Sequence, residues 1–157
     1  MKRILIALDY DPTAQKIAET GYDLARAMQA EMVLLHVVSD PVYYATRAYS
    51  PIMGFDGYLE TGPVEMENIE SLIKASYQFL EQTRRHLGDE NIKTRVVKGD
   101  FAESILSVAR EEKVDLIALG SHSQKWLEKI VMGSVTEQVL KHSRIPLFII
   151  PTKKFRE

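Results

Sequence analysis

Four apolar runs leave no wet side for a strand to show: "RILIALD" (3–9), "MVLLHVV" (32–38), "VDLIALG" (114–120) and "PLFIIP" (146–151). A strand with one face in water alternates polar and apolar residues; a strand covered on both faces does not. A fifth run, "KTRVVKG" (93–99), is more polar and suits the edge of a sheet. Between the runs the period changes. Ala14, Ile17, Ala18, Gly21, Leu24, Ala25 and Met28 recur at helical spacing, after an Asp11-Pro12 pair that reads as N-cap and first helical residue. Ile69, Leu72, Ile73, Tyr77, Leu80 and Leu87 form a second stripe that ends near Gly88, and Ala102, Ile105, Leu106 and Ala109 a third. A fourth helix begins at Ser134, where "SVTE" has the spacing of a capping box with Glu137.

The order β-α-β-α-β-α-β-α-β predicts an α/β fold: an open, mainly parallel five-stranded sheet with helices on both faces, Rossmann-like. Its crossovers are expected to be right-handed. In such sheets a ligand sits beyond the carboxyl ends of the strands, where the winding reverses. The positions to watch are therefore Asp9, Val37 to Ser39, Gly99, Asp100 and Gly120 onward.

At 157 residues the chain has the length of a single domain, 1–157, able to bury a core without staples. A net charge of −2 and the lack of a Lys/Arg cluster argue against a nucleic-acid footprint. With no cysteine there is neither a disulfide nor a thiolate metal site. The apolar run of "MKRILIALDY" stops at Asp9, too short for a signal peptide, and no stretch approaches the roughly 20 apolar residues of a membrane span. These features predict a soluble, cytoplasmic protein. One segment departs from the regular scheme: residues 40–63, "DPVYYATRAYSPIMGFDGYLETGP", form a long loop rich in aromatic residues. A connection of that length is functional or disordered as a rule, and the aromatic content speaks against disorder. A loop folded on its own domain, a lid over the strand ends and a partner contact all remain open readings.

The stretch after the fourth run, "GSHSQKWLEKIVMGSV" (120–135), is either a phosphate cradle or a tight turn. A strand end, glycines and a helix start together present free N–H groups and the positive end of a dipole. Spacing alone does not separate the two readings, because a Ser at a helix start is a routine cap. A G-x-x-x-x-G-K-[ST] loop is absent, and so is a G-x-G-x-x-G after the first run.

In these residues the chain resembles the universal stress proteins of the UspA type. Nucleotide-binding members carry G-x-x-G, nine residues, then G-[ST]; here stand Gly120, Ser121, His122 and Ser123, then "QKWLEKIVM", then Gly133-Ser134. "ILIALD", "LLHVV", "KGDFAESIL", "DLIALGSH" and "GSVTEQVLKHSRIPLFIIP" match the family's other marks, so that the likeness spans the chain outside 40–63. The resemblance implies a stress-response protein that binds ATP or ADP, with or without Mg²⁺, and acts through a protein partner. Ala7 and Asp9 would then face the ribose or adenine, and Val37 would meet adenine through its backbone. Gly120, Ser121, His122 and Ser123, with Gly133, Ser134, Val135 and Thr136, would surround phosphates and ribose. It also implies a homodimer paired through the C-terminal strand, whose apolar edge has no later strand to cover it.

Ser123 departs from the family pattern. A side chain there costs on the order of 1–2 kcal/mol if the loop needs a left-handed residue, while its hydroxyl can donate to a phosphate oxygen. The alternative reading is thus a dimeric adaptor of the same fold whose phosphate loop Ser123 blocks. Lys125 and Lys129 read as a solvated face, Trp126 as packing, and His122 as a loop histidine. His36 reads as part of the sheet's end, and His86 and His142 as helix C-terminal cations. The four histidines lack metal-site spacing. Asp11 and Asp100 read as helix caps, which leaves Asp9 as the candidate for Mg²⁺ beside a nucleotide. No base is placed to activate water, so at most slow ATP hydrolysis is expected.

Overall fold

The computed structural model describes residues 2–9, 13–39, 69–121 and 134–152. Within them the order is β1 (Arg3–Ala7), α1 (Ala14–Ala27), β2 (Glu31–Val38), α2 (Ile69–Leu87), β3 (Lys93–Lys98), α3 (Phe101–Glu111), β4 (Leu116–Gly120), α4 (Ser134–His142) and β5 (Leu147–Ile150). The strands lie in the order β3-β2-β1-β4-β5, and every pair is parallel. The expected alternation of strand and helix is present, and the polar run at 93–98 does form an edge. The other edge is β5.

The unbroken apolar runs have a direct cause. Side chains alternate across a strand, and each central strand feeds two cores. Ile4, Ile6 and Leu34 point to the face covered by α1 and α2, where Ile17, Ala18, Phe79 and Leu80 are buried. Leu5, Val33, Leu35 and Ile117 point to the opposite face, against Ile105, Val108 and Val139 of α3 and α4. The polar residues buried on α2 satisfy themselves within the helix: Ser76 Oγ donates to Leu72 O at 2.7 Å and Thr83 Oγ1 to Phe79 O at 2.9 Å.

Helix ends correct one expectation. The ladder of α1 opens at the Thr13 carbonyl, which accepts from Ile17 N at 3.0 Å, so Thr13 and not Asp11 occupies the N-cap position. A helix begins where its first i→i−4 bond closes, and a preceding proline only prepares φ. Asp11 itself lies outside the described residues. Asp100 does cap α3, accepting from Glu103 N at 3.0 Å. At their C-termini α1 and α3 close alike, with Gln29 and Lys113 at φ 52. The next amides, of Ala30 and Val114, reach back to Ala25 O and Ala109 O, and the carbonyls so satisfied offset the left-handed strain. Gly88, at φ 71, ends α2 where the sequence places its stop.

At the amino edge of the sheet Glu112, 6% exposed, gathers three cations. Lys93 Nζ lies 2.8 Å from its carboxylate, Arg95 Nη1 2.5 Å and Arg3 Nη1 3.9 Å. Arg3 Nη1 also donates to the Glu112 carbonyl at 2.7 Å. The hydrogen bond from Lys93, and then that from Arg95, hold the Glu112 carboxyl below its ordinary range against the effect of burial. This cluster ties β1 and β3 to the end of α3, on the side of the sheet away from the strands' carboxyl ends.

Candidate functional site

The chain winds from β1 outward to β2 and β3 with α1 and α2 on one face. It then returns to β4 and β5 with α3 and α4 on the other. The reversal falls between β1 and β4, which pair directly. A crevice opens at such a point because the chains leaving the two strands turn to opposite faces of the sheet. Asp9 stands at the exit of β1, and Gly120 with Ser121 at the exit of β4.

At the β1 side the ladder with β2 runs from Arg3↔Glu31 to Ala7↔Leu35, and Leu8 N adds a bond to Leu35 O at 2.8 Å. The Leu8 carbonyl then lies 2.8 Å from Nδ1 of His36, a fully buried side chain on β2. Since a carbonyl only accepts, Nδ1 carries the proton and donates. Burial lowers the pKa of His36, while the nearby charge of Asp9 and the Leu8 carbonyl oppose that shift. The ring stands edge-on to Phe79 of α2, with centroids 6.0 Å apart at 77°. Val37 buries its side chain in the core on the opposite face, and its main chain runs in register with Val97 of β3.

At the β4 side Gly120 is crowded from two directions. A Cβ there would come 2.5 Å from Ile17 Cδ1 and 3.0 Å from Thr152 Cγ2, so helix–sheet packing favours glycine unless the end of the Ile17 side chain shifts. Thr136 Oγ1, buried in the first turn of α4, donates to Gly120 O at 2.8 Å. Ser121 N donates to Ile150 O at 2.9 Å, and Ser121 Oγ accepts from Thr152 N at 3.1 Å. The hydroxyl that the sequence assigned to phosphate thus also registers the end of β5 on β4. Lys16 Nζ adds a bond to Pro151 O at 3.0 Å.

The fold therefore brings Ala7, Asp9, Gly120 and Ser121 to adjoining strand ends, with Val37 one strand further on β2. Ser134, Val135 and Thr136 form the start of α4, tied to Gly120 by Thr136. His122, Ser123, Lys125, Trp126, Lys129 and Gly133 lie outside the described residues, as does the 40–63 loop. Asp100 is not part of this cluster; it caps α3 beside the far edge strand. Among the described residues no three His, Asp or Glu side chains gather as a metal site. A separate groove of about 510 Å³ runs between α3 and α4, lined by Phe101, Leu106, Arg110, Val135, Gln138 and His142 among others. Of the other histidines, His86 Nε2 meets Glu19 Oε1 at 2.7 Å and joins the last turn of α2 to α1.

Sequence reasoning missed three of these relationships: the reach of His36 to Leu8, the clip between Ser121 and Thr152, and the ring of cations at Glu112. A histidine inside the unbroken run "MVLLHVV" was the only available signal for the first.

The family model described as universal stress protein family matches residues 1–151. The chain belongs to that family. Universal stress protein MJ0577 of Methanocaldococcus jannaschii is 32% identical over 157 residues, covering 97% of this chain and 96% of its own. The solved structure of MJ0577 superimposes with a TM-score of 0.72 over 98% of both chains, at 27% identity. UspA from Lactobacillus plantarum follows at 0.71, 23% identity, and 95% and 97% coverage. A universal stress protein solved in complex with cAMP, 15% identical, has a TM-score of 0.63 over 97% of this chain and 98% of its own, and shows the shared fold. Among the described residues no helix is long and apolar enough to cross a membrane.

Proposed function

We propose that this chain is a single-domain, cytoplasmic universal stress protein that binds ATP or ADP, with or without Mg²⁺, and acts through a protein partner in the stress response. The observation that carries this reading is the meeting of Asp9 and Gly120-Ser121 at the ends of β1 and β4, with the first turn of α4 tethered to Gly120 through Thr136. An adenosine would lie along Asp9 and the main chain of Val37. The phosphates would lie toward the start of α4, where free amides and the helix dipole favour an anion. The 120–136 stretch keeps the family's spacing, and the fold accommodates an adenine nucleotide in the relative solved with cAMP. Among the described residues near Asp9 and Ser121 none is arranged as a general base, and turnover would be slow at most. The half-buried edge of β5 would pair with a second copy to form a homodimer.

The deciding experiment is to denature the purified protein and identify any released nucleotide by chromatography and mass, alongside calorimetry with ATP. Bound or titratable adenine nucleotide, lost in Gly133→Val, supports the reading. Silence at millimolar ATP sinks it. In that event the adaptor reading takes over, and it has an observation of its own: the Ser121 hydroxyl and the Thr136 proton are both engaged within the protein. Ser123→Gly then separates the two, raising affinity about tenfold if the side chain only strains a working loop.

A further inference from the structure

We propose that His36 is the positioning residue of the adenosine half of this site: its imidazole ties the exit of β1 to the end of β2, and so fixes Asp9 relative to the main chain of Val37. This rests on the nucleotide reading given above. The register of β1 with β2 ends at Ala7↔Leu35, while β2 runs on to Val38 in register with β3. Leu8 N carries the ladder one bond further, to Leu35 O, and the side chain of His36 adds a bridge there, its Nδ1 donating to Leu8 O at 2.8 Å. Asp9 is the next residue along β1, and Val37 the next along β2. One buried ring thus sits one residue before each of the two expected adenosine contacts.

Burial of an imidazole beside Phe79, on the face covered by α1 and α2, is costly unless its polar atoms are used. A leucine would fill the place without that cost, but would leave the Leu8 carbonyl without this donor. The edge of Phe79 sets the plane of the ring, so the Nδ1–H direction is fixed by α2 as well. Of the charged groups, Asp9 faces the ring from β1, and α2 presents Phe79, which is uncharged.

The test uses the full chain and three titrants: ATP, adenosine and inorganic triphosphate. His36→Leu is expected to weaken ATP and adenosine about tenfold, equivalent to about 1.4 kcal/mol, and to leave triphosphate within about twofold. His36→Asn, whose amide nitrogen stands near the position of Nδ1, is expected to retain affinity. His36→Gln, whose nitrogen stands nearer Nε2, is not. In an Asp9→Ala background His36→Leu should cost nothing further. A loss shared equally by adenosine and triphosphate, or one additive with Asp9→Ala, overturns positioning in favour of a merely structural histidine. If His36→Leu does not fold, equal affinities in the Asn and Gln variants overturn it instead. A wild-type chain that binds none of the three titrants overturns the nucleotide reading and this inference together.

Discussion

Thr136 Oγ1 donates to the carbonyl of Gly120 at 2.8 Å, a bond that joins the first turn of α4 to the end of β4. Sixteen residues separate the two in sequence. Thr136→Val keeps the shape and removes the donor, so the part-buried carbonyl loses this partner at a cost of about 1 kcal/mol. Thr136→Ser should recover most of that. Urea denaturation reads the difference, and ATP titration of the same variants should follow it if the start of α4 holds phosphate.

Gly120→Ala places a methyl group against Ile17 Cδ1 and Thr152 Cγ2. Overpacking of this kind costs about 1–3 kcal/mol. Adding Ile17→Val removes the closer of the two atoms, so the double variant should be more stable than the sum of the singles predicts. A strictly additive pair in thermal melts would show that the strain lies elsewhere.

His36 and Glu112 act in separate pH windows. Burial drives the folded pKa of His36 below its ordinary 6.5, so below pH 6.5 the unfolded chain takes up a proton that the folded chain refuses. Stability therefore falls as pH drops through this range, and the slope should vanish in His36→Asn. Glu112 has its folded pKa lowered from 4.5 by Lys93 and Arg95. Its contribution is present above pH 4.5 and lost as pH falls through the folded value. Chemical denaturation from pH 7 to pH 3 should resolve the two steps.

Removal of the Glu112 carboxylate leaves the cations of Arg3, Lys93 and Arg95 facing one another. Lys93 and Arg3 keep much of their exposure, so Glu112→Ala should cost about 2 kcal/mol, less than a fully buried pair. Ligand affinity should stay unchanged, because the cluster sits at the opposite edge of the sheet from Asp9. A parallel loss of ATP binding would contradict that separation.

The edge of β5 gives a test of assembly. Ile149 is half-buried and packs toward the core under α3 and α4. Ile149→Lys brings a charge to that half-buried position on the edge strand and should shift a β5-paired dimer toward monomer by at least about tenfold, at a cost in stability that thermal melts read. A wild-type monomer at micromolar concentration in sedimentation velocity would count against pairing altogether.

Much of the architecture was written locally. Unbroken runs such as "RILIA" and "MVLLHVV" demand cover on two faces, and the intervening helical periods dictate crossovers, so a parallel sheet and its working edge follow from spacing alone. The positions of Asp9, Gly120 and Ser134 at strand and helix ends were legible for the same reason. The start of α1 was not, since Asp11-Pro12 is a strong local signal while the ladder opens only at Thr13.

What the chain by itself determined is the order of elements, the two-sided burial of the central strands and the family to which the 120–136 spacing belongs. Those depend on periodicity and on short-range preferences, which a linear string carries in full. Only the tertiary structure decided why Gly120 has no side chain, what Ser121 and Thr136 bond to, and that His36 reaches the carbonyl before Asp9. Each of these is a contact between segments that parallel pairing brings together from distant parts of the chain, and no local pattern encodes which atom will stand opposite which.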